Sequence, residues 1–211
     1  MIIKNPILNQ LDLPNIFTLT GLTIGLVSVI LAMQGKFYLA AICMIFTGLI
    51  DMLDGVVARK IERTPLQSEV GKQLDSIVDV CSFGFAPAIF AYCFGLQDFL
   101  SIAILVFYVA MNALRLAYFN STGLINSEKA EYFTGLPVTY AALFIPLTFT
   151  ASLFLPATTM KFVLEGVYLL LALAMVANFK MVKVRGIWYG LFGLGAIALT
   201  GLYGWAILWE R

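Results

Sequence analysis

Seven long apolar runs dominate this chain and limit what it can fold into. They lie at about residues 14–33, 37–58, 74–96, 99–119, 136–155, 160–178 and 187–209. A helix needs roughly 20 apolar residues to cross hydrocarbon, and only helices and closed barrels pair every backbone polar group in lipid. The runs lack the alternation of barrel strands. The sequence therefore predicts an all-α integral membrane protein, a polytopic bundle of six to seven transmembrane helices.

Other features of the chain narrow the class further. Charged residues make up only 12% of it and histidine is absent, which excludes histidine-based catalytic triads and histidine zinc sites. The connections between the runs are short, so we expect residues 1–211 to form a single membrane-embedded domain. The opening residues lack the features of a signal peptide, and we expect the first helix to be retained. No nucleic-acid partner is expected.

The distribution of lysine and arginine predicts the orientation, because cytoplasmic loops of membrane proteins carry most of these residues. If the N-terminus lies inside, ten of the 13 basic residues face the cytoplasm. These are Lys4, Arg59, Lys60, Arg63, Lys72, Arg115, Lys129, Lys180, Lys183 and Arg185. Lys36, Lys161 and Arg211 fall outside. This split favours seven crossings of a cell membrane, with the C-terminus outside and the polar connections 59–73 and 120–134 inside.

Four aspartates form two aligned groups in the segment "DMLDGVVARKIERTPLQSEVGKQLDSIVDV". The first group, at i, i+3, i+4 and i+7, is Asp51, Asp54, Gly55 and Ala58. The second, at i, i+4, i+8 and i+11, is Gly71, Asp75, Asp79 and Ser82. Each spacing places its residues on one helix face. Because the two helices are consecutive and antiparallel, the two faces can oppose each other at one depth.

Carboxylates this close together repel one another and are costly to desolvate, so bound cations are the favoured explanation. Oxygen ligands without His or Cys select Mg²⁺, Mn²⁺ or Ca²⁺, and a pair of such ions suits phosphoryl chemistry. Three alternatives stay open. The acids can be solvated helix ends paired with nearby basic residues, or they can line the path of a cation transporter. The small residues can serve only close helix packing.

The pattern Asp51-x-x-Asp54-Gly55-x-x-Ala58-Arg59, followed by Gly71-x-x-x-Asp75-x-x-x-Asp79, resembles the signature of the CDP-alcohol phosphatidyltransferases. In that family an alcohol attacks the lipid-linked phosphorus of CDP-diacylglycerol and releases CMP. The resemblance implies that all four aspartates bind two divalent cations, Mg²⁺ or Mn²⁺, and that Asp79 also accepts the proton of the alcohol. It implies a nucleotide pocket lined by Asp54, Gly55, Ala58, Arg59 and Gly71. A homodimer in a bacterial plasma membrane is also implied, and the distribution of basic residues predicts that the active site faces the cytoplasm.

One spacing departs from the family pattern. Eleven residues separate Arg59 from Gly71, about three more than is usual, which is nearly one helical turn. Within this segment Thr64, Pro65 and Gln67 match an N-cap, a first helical residue and the third residue of a capping box. The sequence therefore predicts that the third helix begins here, and that the extra turn leaves the metal ligands intact.

Three later stretches suggest the acceptor alcohol. "LDSIVDVCSFGFAPAIF", "LRLAYFN" and "YFTGLPVTYAAL" resemble the phosphatidylserine synthase branch, which implies L-serine as acceptor. Arg115 could grip a carboxylate in two places, or instead lie among lipid headgroups or pair with an aspartate. Asn120 and Tyr132 could complete the acceptor site, or serve as a loop cap and an interfacial aromatic. A sister enzyme using inositol, glycerol 3-phosphate or choline is the alternative activity.

The last apolar run is rich in glycine. Its glycines are Gly186, Gly190, Gly193, Gly195, Gly201 and Gly204. Small residues let transmembrane helices approach closely, so these positions indicate either packing within the chain or a homodimer contact.

Overall fold

The protein is a bundle of helices with a small β-sheet at one end. In this computed structural model the described residues are 5–123, 125–126, 131–182 and 187–209. The helices are α1 (Leu13–Met33), α2 (Phe37–Ala58), α3 (Pro65–Asp79), α4 (Ala86–Phe94), α5 (Phe99–Thr122), α6 (Ala141–Phe149), α7 (Ala157–Val176) and α8 (Ile187–Trp209). The strands are β1 (Ile125–Asn126), β2 (Glu131–Thr134) and β3 (Lys180–Val182), paired antiparallel in the order β1-β2-β3.

Six helical segments in the described residues are long and apolar enough to span a membrane. One of them, Pro65–Phe94, contains both α3 and α4. The predicted run 136–155 is instead a shorter apolar helix, Val138–Leu153, in which 3₁₀ turns flank α6. At 1.5 Å per residue it is about 24 Å long, less than the roughly 30 Å of a bilayer core. The predicted helical membrane bundle is confirmed.

The β-sheet shows that α6 and α7 run out and back. Thr134, just before α6, pairs with Lys180, just after α7, so both ends of this helical hairpin lie at the same level. The ring centroid of Phe149, at the far end of α6, lies 6.2 Å from that of Phe37, the first residue of α2. The short helix therefore reaches the end of the bundle at which α2 begins.

The start of α3 follows the predicted capping box. Thr64 Oγ1 accepts a hydrogen bond from Gln67 N at 3.2 Å, and Gln67 Oε1 accepts one from Thr64 N at 2.9 Å. Pro65 occupies the first turn, where its missing N–H costs nothing. Gln67 Nε2 also donates to Asn9 O at 3.2 Å. The same glutamine thus begins α3 and ties it to the segment before α1.

A π-helical turn, Val80–Phe85, separates α3 from α4 directly after Asp79. Pro87 has no N–H to bond the carbonyl of Phe83 four residues earlier, so this carbonyl is free to accept other donors. The hydroxyl of Tyr108 and Nδ2 of Asn112, the latter at 3.1 Å, donate to it from α5. Such turns are wider than an α-helix and are common at functional sites.

The end of the bundle away from the sheet is held by an ionic cluster between α5 and α7. Asp98 caps α5 by accepting from Ser101 N at 3.1 Å, and Lys161 donates to the same carboxylate. These bonds, that from Lys161 above all, hold the pKa of Asp98 well below its usual range. Ser101 Oγ also lies 2.5 Å from Oε1 of the buried Glu165. The start of α5 is therefore joined directly to α7.

The glycines of α8 make no close contact with the rest of the described structure. A Cβ built on any of the five described ones would meet nothing within 4 Å. Gly186 lies outside the described residues. The buried face of α8 instead carries Ala196, Leu199, Tyr203 and Ala206, and the Tyr203 hydroxyl donates to Pro146 O in α6.

Candidate active site

The two predicted carboxylate groups meet in space. Asp51 and Asp54 lie in the last two turns of α2, and Asp75 lies in α3. One carboxylate oxygen of each is within 4.8 Å of the others. Asp79, at the end of α3, is only 7% exposed, and its carboxyl interacts with that of Asp51. Its Oδ1 has no hydrogen-bond partner among the described residues. The arrangement is a compact, half-buried group of oxygen ligands.

The second predicted face does not extend to Ser82. Because Ser82 lies inside the π turn, it is rotated away from the spacing of an ideal α-helix. Its Oγ is 3.0 Å from the position of a Cβ built on Gly25, in α1. Ser82 therefore packs against α1 and does not join the aspartates.

Helix α1 forms the back of the site, which the sequence did not predict. It packs along α2 and against the start of α3. Asn15 is buried in its first turn, and Thr18 Oγ1 lies 3.5 Å from Asp54 Oδ2. The available signal was weak: two polar residues at i and i+3 within an apolar run. Their partners are distant in sequence and could not be identified from it.

The two predicted glycine positions differ in what surrounds them. A Cβ on Gly55 would lie 3.6 Å from Arg59 Nη1, which is an ordinary van der Waals distance. A Cβ on Gly71 would lie only 2.6 Å from Arg63 Nη2 and 2.8 Å from Asn15 Oδ1. The space beside Gly71 is therefore occupied by these two side chains, and its predicted role in the nucleotide pocket stays a prediction. The longer connection after α2 brings a guanidinium over this glycine.

Arg115 lies beside the aspartates in an aromatic setting. Its guanidinium carbon is 5.1 Å from the ring centroid of Phe119 and 5.5 Å from that of Phe133. The residue is 6% exposed and is close enough to Asp79 for a direct charge interaction. Its Nε and Nη2 atoms are buried and make no hydrogen bond to the described residues. A buried guanidinium with open donors is costly unless a ligand completes it.

The other two predicted acceptor residues are placed differently from each other. Asn120 is exposed at the end of α5, and its Nδ2 donates to Ser76 Oγ at 2.7 Å, next to Asp75 in sequence. Tyr132 lies in β2, where successive side chains point to opposite faces. Its neighbour Phe133 is the residue that contacts Arg115. A role for Tyr132 in acceptor binding stays a prediction.

Comparison with protein families agrees with this geometry. Residues 11–181 match the CDP-alcohol phosphatidyltransferase family, which includes α1, both carboxylate groups and Arg115. The chain belongs to this family.

Several curated relatives of this phosphatidyltransferase are similar over much of its length. The CDP-diacylglycerol–serine O-phosphatidyltransferase of Helicobacter pylori is 33% identical over 180 residues, covering 81% of this chain and 73% of the relative. The archaetidylserine synthase of Methanothermobacter thermautotrophicus is 39% identical over 135 residues, covering 63% and 55%. The CDP-diacylglycerol–serine O-phosphatidyltransferase of Bacillus subtilis is 36% identical over 115 residues, covering 53% and 61%.

An apolar cavity of about 190 Å³ adjoins the aspartates of this phosphatidyltransferase. It lies between α2, α6 and α8, and Leu49, Leu143 and Leu199 are among its lining residues. Asp51 and Phe133 also line it. The cavity is therefore a mostly apolar space with a carboxylate at one side.

The carboxylates fit the divalent cations that this family implies. Three of them bring oxygens within 4.8 Å of one another from two helices, which is a spacing that a shared cation can bridge. The unpartnered Oδ1 of Asp79 offers a further oxygen ligand beside Asp51. No imidazole or thiolate lies in this group of residues, so hard cations are favoured over zinc or copper.

Proposed function

We propose that this protein transfers the phosphatidyl group of CDP-diacylglycerol to the hydroxyl of L-serine, forming phosphatidylserine and CMP in phospholipid biosynthesis. The observation that carries the proposal is that Asp79 adjoins both the cluster of Asp51, Asp54 and Asp75 and the guanidinium of Arg115, whose buried Nε and Nη2 have no described partner. The aspartates suit the diphosphate chemistry of the family. The guanidinium of Arg115 supplies hydrogen-bond donors for the carboxylate of an amino-acid acceptor.

The donor would lie across the ends of α2 and α3. Its CDP portion would occupy the groove bordered by Asp54, Gly55, Ala58, Arg59 and Gly71. The cavity beside Asp51 suits the start of the lipid chains, because it is mostly apolar and is lined on one side by an aspartate of the site. The scissile phosphorus would then lie between a polar groove and an apolar space, as an amphiphilic donor requires.

The acceptor would be held by its carboxylate. A planar guanidinium binds a carboxylate through two parallel hydrogen bonds, and the open donors of Arg115 provide such a fork. The rings of Phe119 and Phe133, which both lie against the guanidinium, limit how it can rotate. Glycerol 3-phosphate, inositol and choline lack a carboxylate, so this contact favours serine among the acceptors considered.

Asp79 would act as the base. Its charge interacts with that of Arg115, and its buried Oδ1 has no hydrogen-bond partner among the described residues. As the serine oxygen forms its bond to the lipid-linked phosphorus, the hydroxyl proton passes to the Asp79 carboxylate. The bond from this phosphorus to the CMP oxygen breaks, and CMP leaves with the electron pair.

Asp51, Asp54, Asp75 and Asp79 would hold two divalent cations, Mg²⁺ or Mn²⁺. When bound, such ions neutralise the diphosphate and the charge that develops on the leaving group. The carboxylates themselves fix where the diphosphate can lie. Removal of divalent cations with EDTA is expected to abolish CMP release, and Mn²⁺ or Mg²⁺ should restore it.

The active site would face the cytoplasm. Arg59, Lys60 and Arg63 lie in the connection beside the aspartates, and Lys180 lies in the adjacent sheet. Lys36 and Lys161 lie at the other end of the bundle. Lys4, Lys129, Lys183, Arg185 and Arg211 are outside the described residues. Modification of an introduced cysteine at position 60 from one side of sealed vesicles would test this orientation.

A homodimer is proposed as the assembly. The open glycine face of α8 is free of contacts within the described chain and is suited to close approach by another helix. Crosslinking of a cysteine introduced at Gly201 should then give a dimer in membranes. A monomer by mass measurement in detergent and by crosslinking would contradict this assembly without affecting the proposed reaction.

The central experiment measures CMP release by the purified chain. The protein receives CDP-diacylglycerol, Mn²⁺ or Mg²⁺, and in turn serine, inositol, glycerol 3-phosphate or choline. We expect release that depends on serine and a lipid product that contains it. Release with another acceptor alone would assign a sister activity. No release with any acceptor, together with cation flux in liposomes, would favour a transporter.

A further inference from the structure

Arg63 belongs to the connection that is longer than the family pattern, and its guanidinium lies over Gly71. A Cβ on this glycine would be 2.6 Å from Arg63 Nη2 and 3.0 Å from Nη1. A side chain there would collide with the guanidinium. The glycine is therefore needed to admit Arg63, a purpose separate from any direct approach of the ligand to the backbone.

The guanidinium is held in one orientation by three groups. Arg63 Nε donates to Asp12 Oδ2 at 2.6 Å, and Nη2 donates to Asn15 Oδ1 at 2.6 Å and to Gln67 O at 2.8 Å. The arginine side chain is only 12% exposed and that of Asp12 is 11% exposed. An ion pair this enclosed gains a defined geometry that a solvent-exposed pair lacks.

One end of this guanidinium stays open. Among the described residues Nη1 makes no hydrogen bond, although it lies close to Gly71 on the groove side of α3. An arginine carries five N–H donors and cannot lose its charge, so the two hydrogens of Nη1 need an acceptor from water or a ligand. The other nitrogens only hold the group in place.

The position of Arg63 relative to the aspartates favours a ligand. Gly71 precedes Asp75 by one turn of α3, and Asn15 precedes Thr18 by about one turn of α1. Thr18 and Asp75 both border the carboxylate group. Arg63 is therefore about one helical turn, roughly 5 Å along the axes, from the proposed diphosphate position. Arg63 thus lies at the edge of the proposed nucleotide groove, which Gly71 borders.

We infer that Arg63 binds the nucleotide portion of the donor through Nη1, and that Asp12 and Asn15 are positioning residues for it. The inference rests on the proposed function. A cytidine nucleotide offers carbonyl, ribose and phosphate oxygens as acceptors, and a guanidinium suits each of them. Arg63 sets the affinity for CDP-diacylglycerol and for CMP, and it does not contact serine.

The competing explanation is that Arg63 only stabilises the packing of α1 against α3. Both explanations predict that loss of Arg63 lowers thermal stability. They differ in what happens to nucleotide binding by the protein that stays folded. Binding of CMP therefore decides between them, and it can be measured without turnover.

The test compares Arg63→Gln, Arg63→Lys and Asp12→Asn with the wild type, using the full chain in detergent. Lys72→Gln is the matched control, because it removes one positive charge from an exposed position on α3. CMP affinity is measured by calorimetry in the presence of Mg²⁺. The KM values for CDP-diacylglycerol and for serine are measured separately.

We expect Arg63→Gln to weaken CMP binding and to raise the donor KM by about tenfold, with an unchanged serine KM and a similar kcat. Arg63→Lys keeps the charge and should show a smaller loss of the same kind. Asp12→Asn should lie between the wild type and Arg63→Lys, and Lys72→Gln should match the wild type.

Unchanged CMP affinity in folded Arg63→Lys and Arg63→Gln would overturn the inference and leave Arg63 with a structural role only. If Arg63→Gln does not fold, Arg63→Lys alone decides. An equal loss of CMP affinity in Lys72→Gln would show a general effect of charge and would also overturn the inference. A wild type that binds CMP but releases none with serine would contradict the proposed acceptor, while the CMP affinities would still judge Arg63.

Discussion

Arg115 in α5 stacks on Phe133 in β2, with its guanidinium carbon 5.5 Å from the ring centroid. This contact joins the end of a transmembrane helix to a three-stranded sheet. It also leaves Nε and Nη2 of the arginine unpartnered in the described structure. The sheet therefore helps to hold a donor group beside Asp79 without satisfying it.

Arg115→Lys should raise the serine KM by about tenfold or more, because lysine keeps the charge but loses the two-point grip on a carboxylate. The donor KM should stay unchanged. Steady-state kinetics with serine varied at saturating CDP-diacylglycerol measure the effect. Lys60→Gln, at an exposed position after α2, is the control. An unchanged serine KM in Arg115→Lys would return the residue to a structural role.

Asp79→Asn should reduce kcat by about 10²- to 10⁴-fold, the usual contribution of a general base. The amide is nearly the same size as the carboxyl, so the buried site should keep its packing. Thermal unfolding and CMP binding confirm that the variant is folded. Substantial turnover by this variant would remove Asp79 as the base and would leave it a possible metal ligand only.

Asp98→Ala should lower the free energy of unfolding at neutral pH, because it removes the N-cap of α5 as well as the contact with Lys161. Activity per folded molecule should be unchanged, since this cluster is at the end away from the aspartates. Unfolding in detergent, followed by tryptophan fluorescence, measures the difference.

The pH dependence of this difference has a defined sign. The pKa of the Asp98 carboxyl is lowered in the folded protein, mainly by the hydrogen bond from Lys161. Its ionic contribution is therefore fully present above the unfolded pKa of about 3.9 and is lost as the pH falls through the lower folded value. The gap between wild type and Asp98→Ala should hold from pH 7 to 5. A gap that closes within this range would contradict the assignment.

Gly48→Ala should destabilise the bundle by about 1–3 kcal/mol through overpacking, because its Cβ would lie 2.7 Å from Ala142 Cβ in α6. Gly166→Ala is the matched control on α7, where nothing lies within 4 Å of the added carbon. There the better helix propensity of alanine should leave stability equal or higher. Thermal unfolding of both variants compares them. Equal stability of the two would show that α2 and α6 separate at no cost.

Local interactions explain why parts of this structure could be predicted. The capping box of Thr64 and Gln67 lies within four residues, and the i, i+3 and i, i+4 spacings place Asp51 with Asp54 and Asp75 with Asp79 on single faces. Apolar length predicted most of the spans. Each of these signals depends on neighbouring residues in one helix, so the sequence contains it directly.

Other features needed contacts between distant segments. Arg63 meets Asp12 and Asn15 from positions 51 and 48 residues away. Phe133 reaches Arg115 only because β2 is held by β3, which follows α7. The π turn at Val80–Phe85 depends on Pro87 together with donors from α5. No periodicity in the sequence identifies such partners.

The sequence by itself determined a helical membrane protein with a family signature and four carboxylates on two helix faces, because period and hydrophobicity are local properties. Only the tertiary structure decided what surrounds these carboxylates. It placed Arg63 over Gly71, turned Ser82 toward α1 and left the donors of Arg115 open. Side-chain packing among distant helices sets these contacts, and it depends on the whole bundle.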